Sequence, residues 1–383
     1  WWNLMIADTY KTDNIFPKWR RLWPMQSETA NPQWILGMST VAVAGEKIIS
    51  AICEHGEWKL CCLSLDGSVD KINQPFNDLS YIQAHKDHVL ALASNHSNAS
   101  GLLELDLSKG TTTHISSSSV CIDEEYISKP EKLSFKGFMD QQTYAWYYPP
   151  INCTRKKPPL LVKSHSGPTS MASPGLDLSI QFWTSRGWAV VDVNYGGSTG
   201  FGRAYRDRLK ANWGLVDVGD CESAAKYLID SKKVDPSLIA IEGGSAGGYT
   251  TLMCLCSSKI FRVAACRYAV SDLSSLRYDT HRFEKGYLDY LIGPIDAGSD
   301  QYQLRSPLKQ RDLIQCPIIF FQGMKDDVVP PNQTKKIAQS LKDNNIIVEV
   351  HTYEKEGHGF KDGAVKIDVL EKTERFFNYH LGL

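Results

Sequence analysis

Ile239-Ala240-Ile241-Glu242-Gly243-Gly244-Ser245-Ala246-Gly247-Gly248-Tyr249 is the stretch that decides the fold. Its first four residues read as a buried strand ending. Gly243-Gly244-Ser245-Ala246-Gly247 follows, and Tyr249, Leu252 and Cys256 then continue with helical spacing. A glycine-x-serine-x-glycine run between a strand and a helix is a nucleophile elbow, the sharp turn that lifts a serine hydroxyl above a sheet. The reason is steric. The serine backbone is strained, and side chains two residues to either side would collide, so Gly243 and Gly247 are needed. The helix N-terminus then aims backbone N–H groups at the point where negative charge develops. A bare match of this length also arises by chance, so partners elsewhere in the chain must decide the reading.

Such partners follow in the chain order serine, acid, histidine that this kind of elbow uses. Pro317–Gln322 reads as a strand, and Gly323-Met324-Lys325-Asp326-Asp327-Val328-Val329-Pro330 is the loop at its C-terminal end. Open α/β sheets place functional groups there. Asp326 and Asp327 both qualify as the acid. The base is His358 in Glu356-Gly357-His358-Gly359-Phe360, between strand Ile347–Tyr353 and the last helix. Of the other late histidines, His351 lies mid-strand and His380 near the chain end. A second oxyanion donor is expected in His165-Ser166-Gly167-Pro168, after strand Leu160–Ser164. Ala246 and Gly167 are the expected N–H donors, with Ser166 the alternative to Gly167.

Outward from the elbow, strands at Leu160–Ser164, Trp188–Tyr195, Leu238–Glu242, Val263–Val270, Pro317–Gln322 and Ile347–Tyr353 alternate with helices near Asp217–Ser231, Asn332–Asp343 and Ala364–Leu381. That alternation predicts a mostly parallel sheet with helices on both faces, the α/β class, over residues 126–383. Residues 1–125 read as all-β. Strands at Lys47–Glu54, Trp58–Leu65 and Val69–Ile72 recur as His88–Ser94, Gly101–Leu107 and Thr111–Ile115, an offset of 41 residues from Ile48 to Val89. This is the period of a β-propeller blade, with a β-sandwich as the alternative. At ~42 residues each, 125 residues supply about three blades of a structure that usually closes with four or more. The start at Trp1-Trp2-Asn3, with neither methionine nor signal peptide, is read as lying inside a longer chain whose further blades precede it.

Composition excludes other classes. The 383 residues are 42% hydrophobic and 22% charged with a net charge of -1, so neither nucleic acid nor a membrane surface is an expected partner. No apolar run reaches the ~18 residues of a transmembrane helix. The ten cysteines sit mostly in apolar patterns and lack zinc-ligand spacing. They read as buried hydrophobes of a reducing, cytoplasmic compartment. No metal or organic cofactor is expected.

His165–Pro168, Asn194-Tyr195-Gly196-Gly197-Ser198-Thr199-Gly200-Phe201-Gly202, Gly243–Tyr249, Gly323–Pro330 and Gly357-His358-Gly359 together resemble the catalytic domain of the prolyl oligopeptidase family of serine peptidases. The likeness runs from about Pro130 to the C-terminus and is nearest to the acylaminoacyl-peptidase and dipeptidyl-peptidase-like branch. The resemblance implies an α/β-hydrolase domain behind a β-propeller that screens substrates by size. It also implies hydrolysis of short peptides through an acyl-enzyme. It selects Asp326, because the first aspartate of such a pair is the family's acid. The branch ordinarily carries His-Gly-Gly-Pro where this chain has His165-Ser166-Gly167-Pro168. Tyr249, His281 and Phe283, the last two within Asp272–Glu284, are expected to line the substrate pocket. A carboxylesterase and a non-catalytic interaction protein remain alternative readings, and self-association into a homo-oligomer stays open.

Overall fold

In the computed structural model, the described residues are 1–7, 17–32, 37–116, 122–279, 284, 286–295 and 300–383. They form two compact units. One comprises Trp1–Ile127 with two returning segments, Ser173–Asp177 and Thr199–Arg206. The other comprises Ser128–Ala172, Leu178–Ser198 and Asp207–Leu383. No described helix is long and apolar enough to cross a membrane.

The first unit is built from antiparallel strands. β1 (Met5–Ala7) and β2 (Trp19–Arg21) form a pair. β3 (Val41–Ala44), β4 (Lys47–Glu54), β5 (Glu57–Leu63) and β6 (Val69–Lys71) form one four-stranded meander. β7 (Asp78–His85), β8 (His88–Ser94), β9 (Gly101–Asp106) and β10 (Thr111–Ser116) form a second. Turn chemistry sets the hairpins. His55 and Gly56, with φ of 52° and 80°, make the left-handed pair that joins β4 to β5 without splaying them. Period-two alternation then sets the faces: Val89, Ala91, Ala93, Leu103 and Leu105 are buried.

Each meander has a first strand the sequence reading missed. β3 has only four residues, and β7 carries an irregularity between Ser80 and Gln83 that breaks its alternation. Where about three blades were expected, the described residues hold two full meanders and the β1–β2 pair. Among the described residues before Val41, only β1 and β2 are strands. The returning segment is anchored within this unit by Arg206. Its guanidinium pairs with the buried Glu28 carboxylate and stacks 3.8 Å over the Trp2 ring.

The second unit holds one eight-stranded sheet. Its strands are β11 (Glu131–Lys136), β12 (Gln142–Tyr148), β13 (Leu160–Ser164), β14 (Ala189–Asn194), β15 (Ile239–Gly244), β16 (Val263–Arg267), β17 (Ile318–Gly323) and β18 (Val348–Tyr353). Their order is β11-β12-β14-β13-β15-β16-β17-β18. The β11–β12 and β12–β14 pairs are antiparallel, and the remainder is parallel. Central strands are apolar on both sides because helices cover both faces. Val162, Val191, Ile241, Ala264 and Phe320 belong to one cluster; Leu161, Val190, Ala240, Ala265 and Phe321 belong to the other. All six strands read from sequence are present, with ends moved by at most three residues. The hairpin β11–β12 was missed, since Ala145–Tyr148 buries four consecutive residues and shows no alternation.

Candidate active site

Ser245 sits between β15 and the helix Ala246–Ser257 at φ 52° and ψ -122°, a strained conformation for a residue with a side chain. Its neighbours hold it there. Ser245 N–H donates to Arg267 O on β16 at 2.9 Å. A Cβ on Gly243 would overlap the Gly247 backbone, and one on Gly247 would overlap Ser164 O. With both glycines in place, the turn closes tightly enough for the Ser164 hydroxyl to donate to Gly247 O at 2.8 Å.

Three loops meet at this serine. His358 Nε2 lies 2.9 Å from Ser245 Oγ, and His358 Nδ1 lies 2.9 Å from Asp326 Oδ2. A carboxylate only accepts, so Nδ1 carries the proton and Nε2 is left to receive one from the serine. Asp326 is buried, and Val328 N–H and Val329 N–H donate to its Oδ1 at 3.0 and 2.8 Å. Gln322 reaches its other oxygen and is itself held by Thr334 at 2.7 Å. Asp327 points to solvent. Acid and base loops are bonded to each other through Lys325 N–H to Glu356 O at 2.9 Å. The Glu356 carboxylate accepts from Lys361 N–H and Asp362 N–H, closing the histidine loop on itself. His351 and His380 lie on β18 and on the C-terminal helix, away from this constellation.

The loop at His165 is pinned from several sides. Ser166 Oγ donates to Gly244 O at 2.8 Å, and Tyr195 OH donates to His165 O at 3.0 Å. The His165 ring stacks on Tyr195 with centroids 4.1 Å apart. Loss of hydration pulls this imidazole down to about 4, so it is neutral near pH 7. Its Nδ1 lies 2.8 Å from Ser166 O, which only accepts, so Nδ1 bears the hydrogen. Nε2 lies 2.7 Å from Ser198 Oγ, whose one hydrogen is directed to Tyr195 O at 2.7 Å. In a planar trans peptide, C=O and N–H point opposite ways. Holding Ser166 C=O therefore aims Gly167 N–H, and Gly167 takes a φ of 134° that favours glycine.

A graded outcome follows. His165→Asn keeps a donor at the Nδ1 position and should retain most activity. His165→Gln, with its amide at the Nε2 position, and His165→Phe should each lose roughly 10²-fold in kcat/KM, the value of one oxyanion donor. Steady-state kinetics on an aminoacyl amide would check this order.

Two further side chains escaped the sequence reading. Tyr268, in an edge-on contact with ring centroids 4.8 Å apart, borders the His358 imidazole. Asp217 accepts from Thr250 Oγ1 on the nucleophile helix at 2.5 Å and from Gly214 N–H at 2.6 Å. Burial pushes it up to about 6. Neither carries a motif; spacing alone gives no sign that they meet the elbow. Tyr249, expected at the pocket, is corrected: it is fully buried, packs at a tilt against Trp213 and donates to Arg305 O at 2.9 Å. One helical turn past the elbow, its position faces the core. His281 and Phe283 lie outside the described residues.

Comparison with known proteins gives a consistent picture. A model of the prolyl oligopeptidase family matches residues 174–383. A puromycin-hydrolyzing peptidase of Mycobacterium tuberculosis is 34% identical with a TM-score of 0.93, over 96% of this chain and 57% of that one. A puromycin hydrolase is 31% identical with a TM-score of 0.94, over 100% of this chain and 58% of its own. Dipeptidyl aminopeptidase BIII of Pseudoxanthomonas mexicana is 30% identical over 53% of this chain and 30% of its own length. This chain thus spans less than two thirds of the proteins it matches.

Proposed function

This chain belongs to the prolyl oligopeptidase family, and on that premise we propose that it is a serine peptidase cleaving short peptides and aminoacyl amides. The observation that carries the reading is the continuous Ser245–His358–Asp326 hydrogen-bond path, with both links to the imidazole at 2.9 Å. In the proposed reaction, Ser245 Oγ attacks the carbonyl carbon while His358 Nε2 takes its proton. Asp326 holds the tautomer and stabilises the imidazolium. The N–H groups of Ala246 and Gly167 receive the oxyanion, each worth about 3 kcal/mol. His358 returns the proton to the leaving amine, and water repeats the sequence on the acyl-enzyme.

The two meanders of residues 41–116 support reading the first unit as blades of a substrate-screening propeller. A panel of aminoacyl amides with free, acylated and proline-containing N-termini, puromycin and an aryl ester would test substrate class. Turnover of at least one amide within roughly tenfold of the ester's kcat/KM is expected. Hydrolysis of the ester alone would favour the carboxylesterase reading, and inertness toward all of them the non-catalytic one.

A further inference from the structure

The peptide that joins Arg267 to Tyr268, at the end of β16, is pinned on both sides. Its C=O, that of Arg267, accepts from Ser245 N–H at 2.9 Å. Its N–H, that of Tyr268, donates to Phe321 O on β17 at 2.8 Å. One peptide plane thus ties the nucleophile elbow to the strand that leads to Asp326. Tyr268 has a φ of 39°, a region a bulky residue occupies only where its surroundings fix it.

The Tyr268 ring fills a space that Gly244 leaves open. A Cβ on Gly244 would lie 3.1 Å from the Tyr268 ring and its hydroxyl, the nearest atoms it would meet. The same ring meets the His358 imidazole edge-on, with centroids 4.8 Å apart. It also meets Phe360 nearly at right angles, 5.2 Å away. Phe360 in turn packs 5.2 Å from Tyr353, whose hydroxyl donates to Asp368 on the C-terminal helix at 2.7 Å. This row of rings is therefore anchored to the sheet at one end and to that helix at the other.

We propose that Tyr268 is a positioning residue for the base, holding the His358 imidazole in line while its proton passes to the leaving amine. His358 stands between two glycines, and Gly359 has a φ of 79°, so the loop backbone restrains the imidazole little. The bond to Asp326 fixes Nδ1 alone and lets the ring swing about that end. A side chain already fixed by the sheet removes that freedom. The restraint matters most when the leaving group needs the proton. An amine does not depart as an anion, so Nε2 must deliver its proton to nitrogen as the C–N bond breaks; a nitrophenolate departs without one. The proposal rests on the serine-peptidase reading, in which His358 is base and then acid.

An aminoacyl p-nitroanilide and the p-nitrophenyl ester of the same aminoacyl group test this, with fluorophosphonate labelling counting intact sites. Tyr268→Phe keeps the ring and should stay within about threefold of wild type on both substrates. Tyr268→Ala should lose roughly 10²-fold in kcat on the anilide with KM within about threefold. On the ester its kcat/KM should fall by no more than about tenfold. Tyr268→Leu, which keeps apolar bulk should the alanine variant not fold, should show the same bias toward the ester. Gly244→Ala pushes the ring from the elbow side and should cost about fivefold on the anilide. Added to Tyr268→Ala, that methyl meets no ring and should cost nothing further.

Equal losses on both substrates would reduce Tyr268 to packing and overturn the proposal. So would losses that simply add in the double variant, or a Tyr268→Ala as fast as wild type on the anilide. A wild type inert toward the anilide would end the peptidase reading and this one with it. An active wild type with any of the three preceding results ends this one alone.

Discussion

Replacing Ser245 with alanine should lower kcat by roughly 10⁴–10⁶ while leaving substrate affinity nearly unchanged. The loss is this large because the serine, its base and the orienting acid act as one unit, and removing the nucleophile idles the other two. The residual rate should exceed that in water, since oxyanion donors on the backbone survive the substitution. A fluorophosphonate should label the wild type at one position and leave Ser245→Ala unmodified. Labelling that persists in the variant would place the nucleophile elsewhere. Little structural cost is expected: the strained backbone is set by Gly243, Gly247 and the bond to Arg267 O, none of which needs the hydroxyl.

Asp326→Asn should cost about 10⁴ in kcat with the loop geometry preserved. The Asp326 carboxylate only accepts, so it fixes the proton on His358 Nδ1. An asparagine can turn its NH₂ toward the ring, leaving Nδ1 bare and moving the proton to Nε2, where it blocks the serine. The positive imidazolium also loses its counter-charge in a buried site. Asp327→Asn is the control, because that side chain is exposed; its kcat/KM should stay within about twofold of wild type. Equal losses in both variants would show that the first carboxylate acts only through loop stability.

Much of this site was legible because its constraints are local. Glycine is required where another backbone passes too close for a Cβ, and such requirements leave Gly243 and Gly247 at fixed offsets from the nucleophile. Strand endings before loops point to Asp326 and His358 for a similar reason. Choosing between Asp326 and Asp327 is different. Both are loop carboxylates in the text, and the choice rested on a resemblance. In the structure, two backbone N–H groups and the imidazole converge on the first and none of these on the second. Tyr249 failed as a pocket residue because adjacency in sequence says little about which side of a helix faces the cleft. The contact His165 makes was invisible for another reason: it bears on the orientation of a peptide plane, which residue identity does not encode. β11 and β12 were missed where an aromatic run hides the period of a strand.

The pairing of Arg206 with Glu28 makes the chain hard to divide. A cut after residue 127 would look natural from the order of strands and helices. It would also send the arginine away with one fragment and strand a desolvated carboxylate in the other, a loss of several kcal/mol. Chimaeras that exchange the N-terminal portion with a relative therefore need to carry residues 199–206 along with residues 1–127, as a discontinuous cassette.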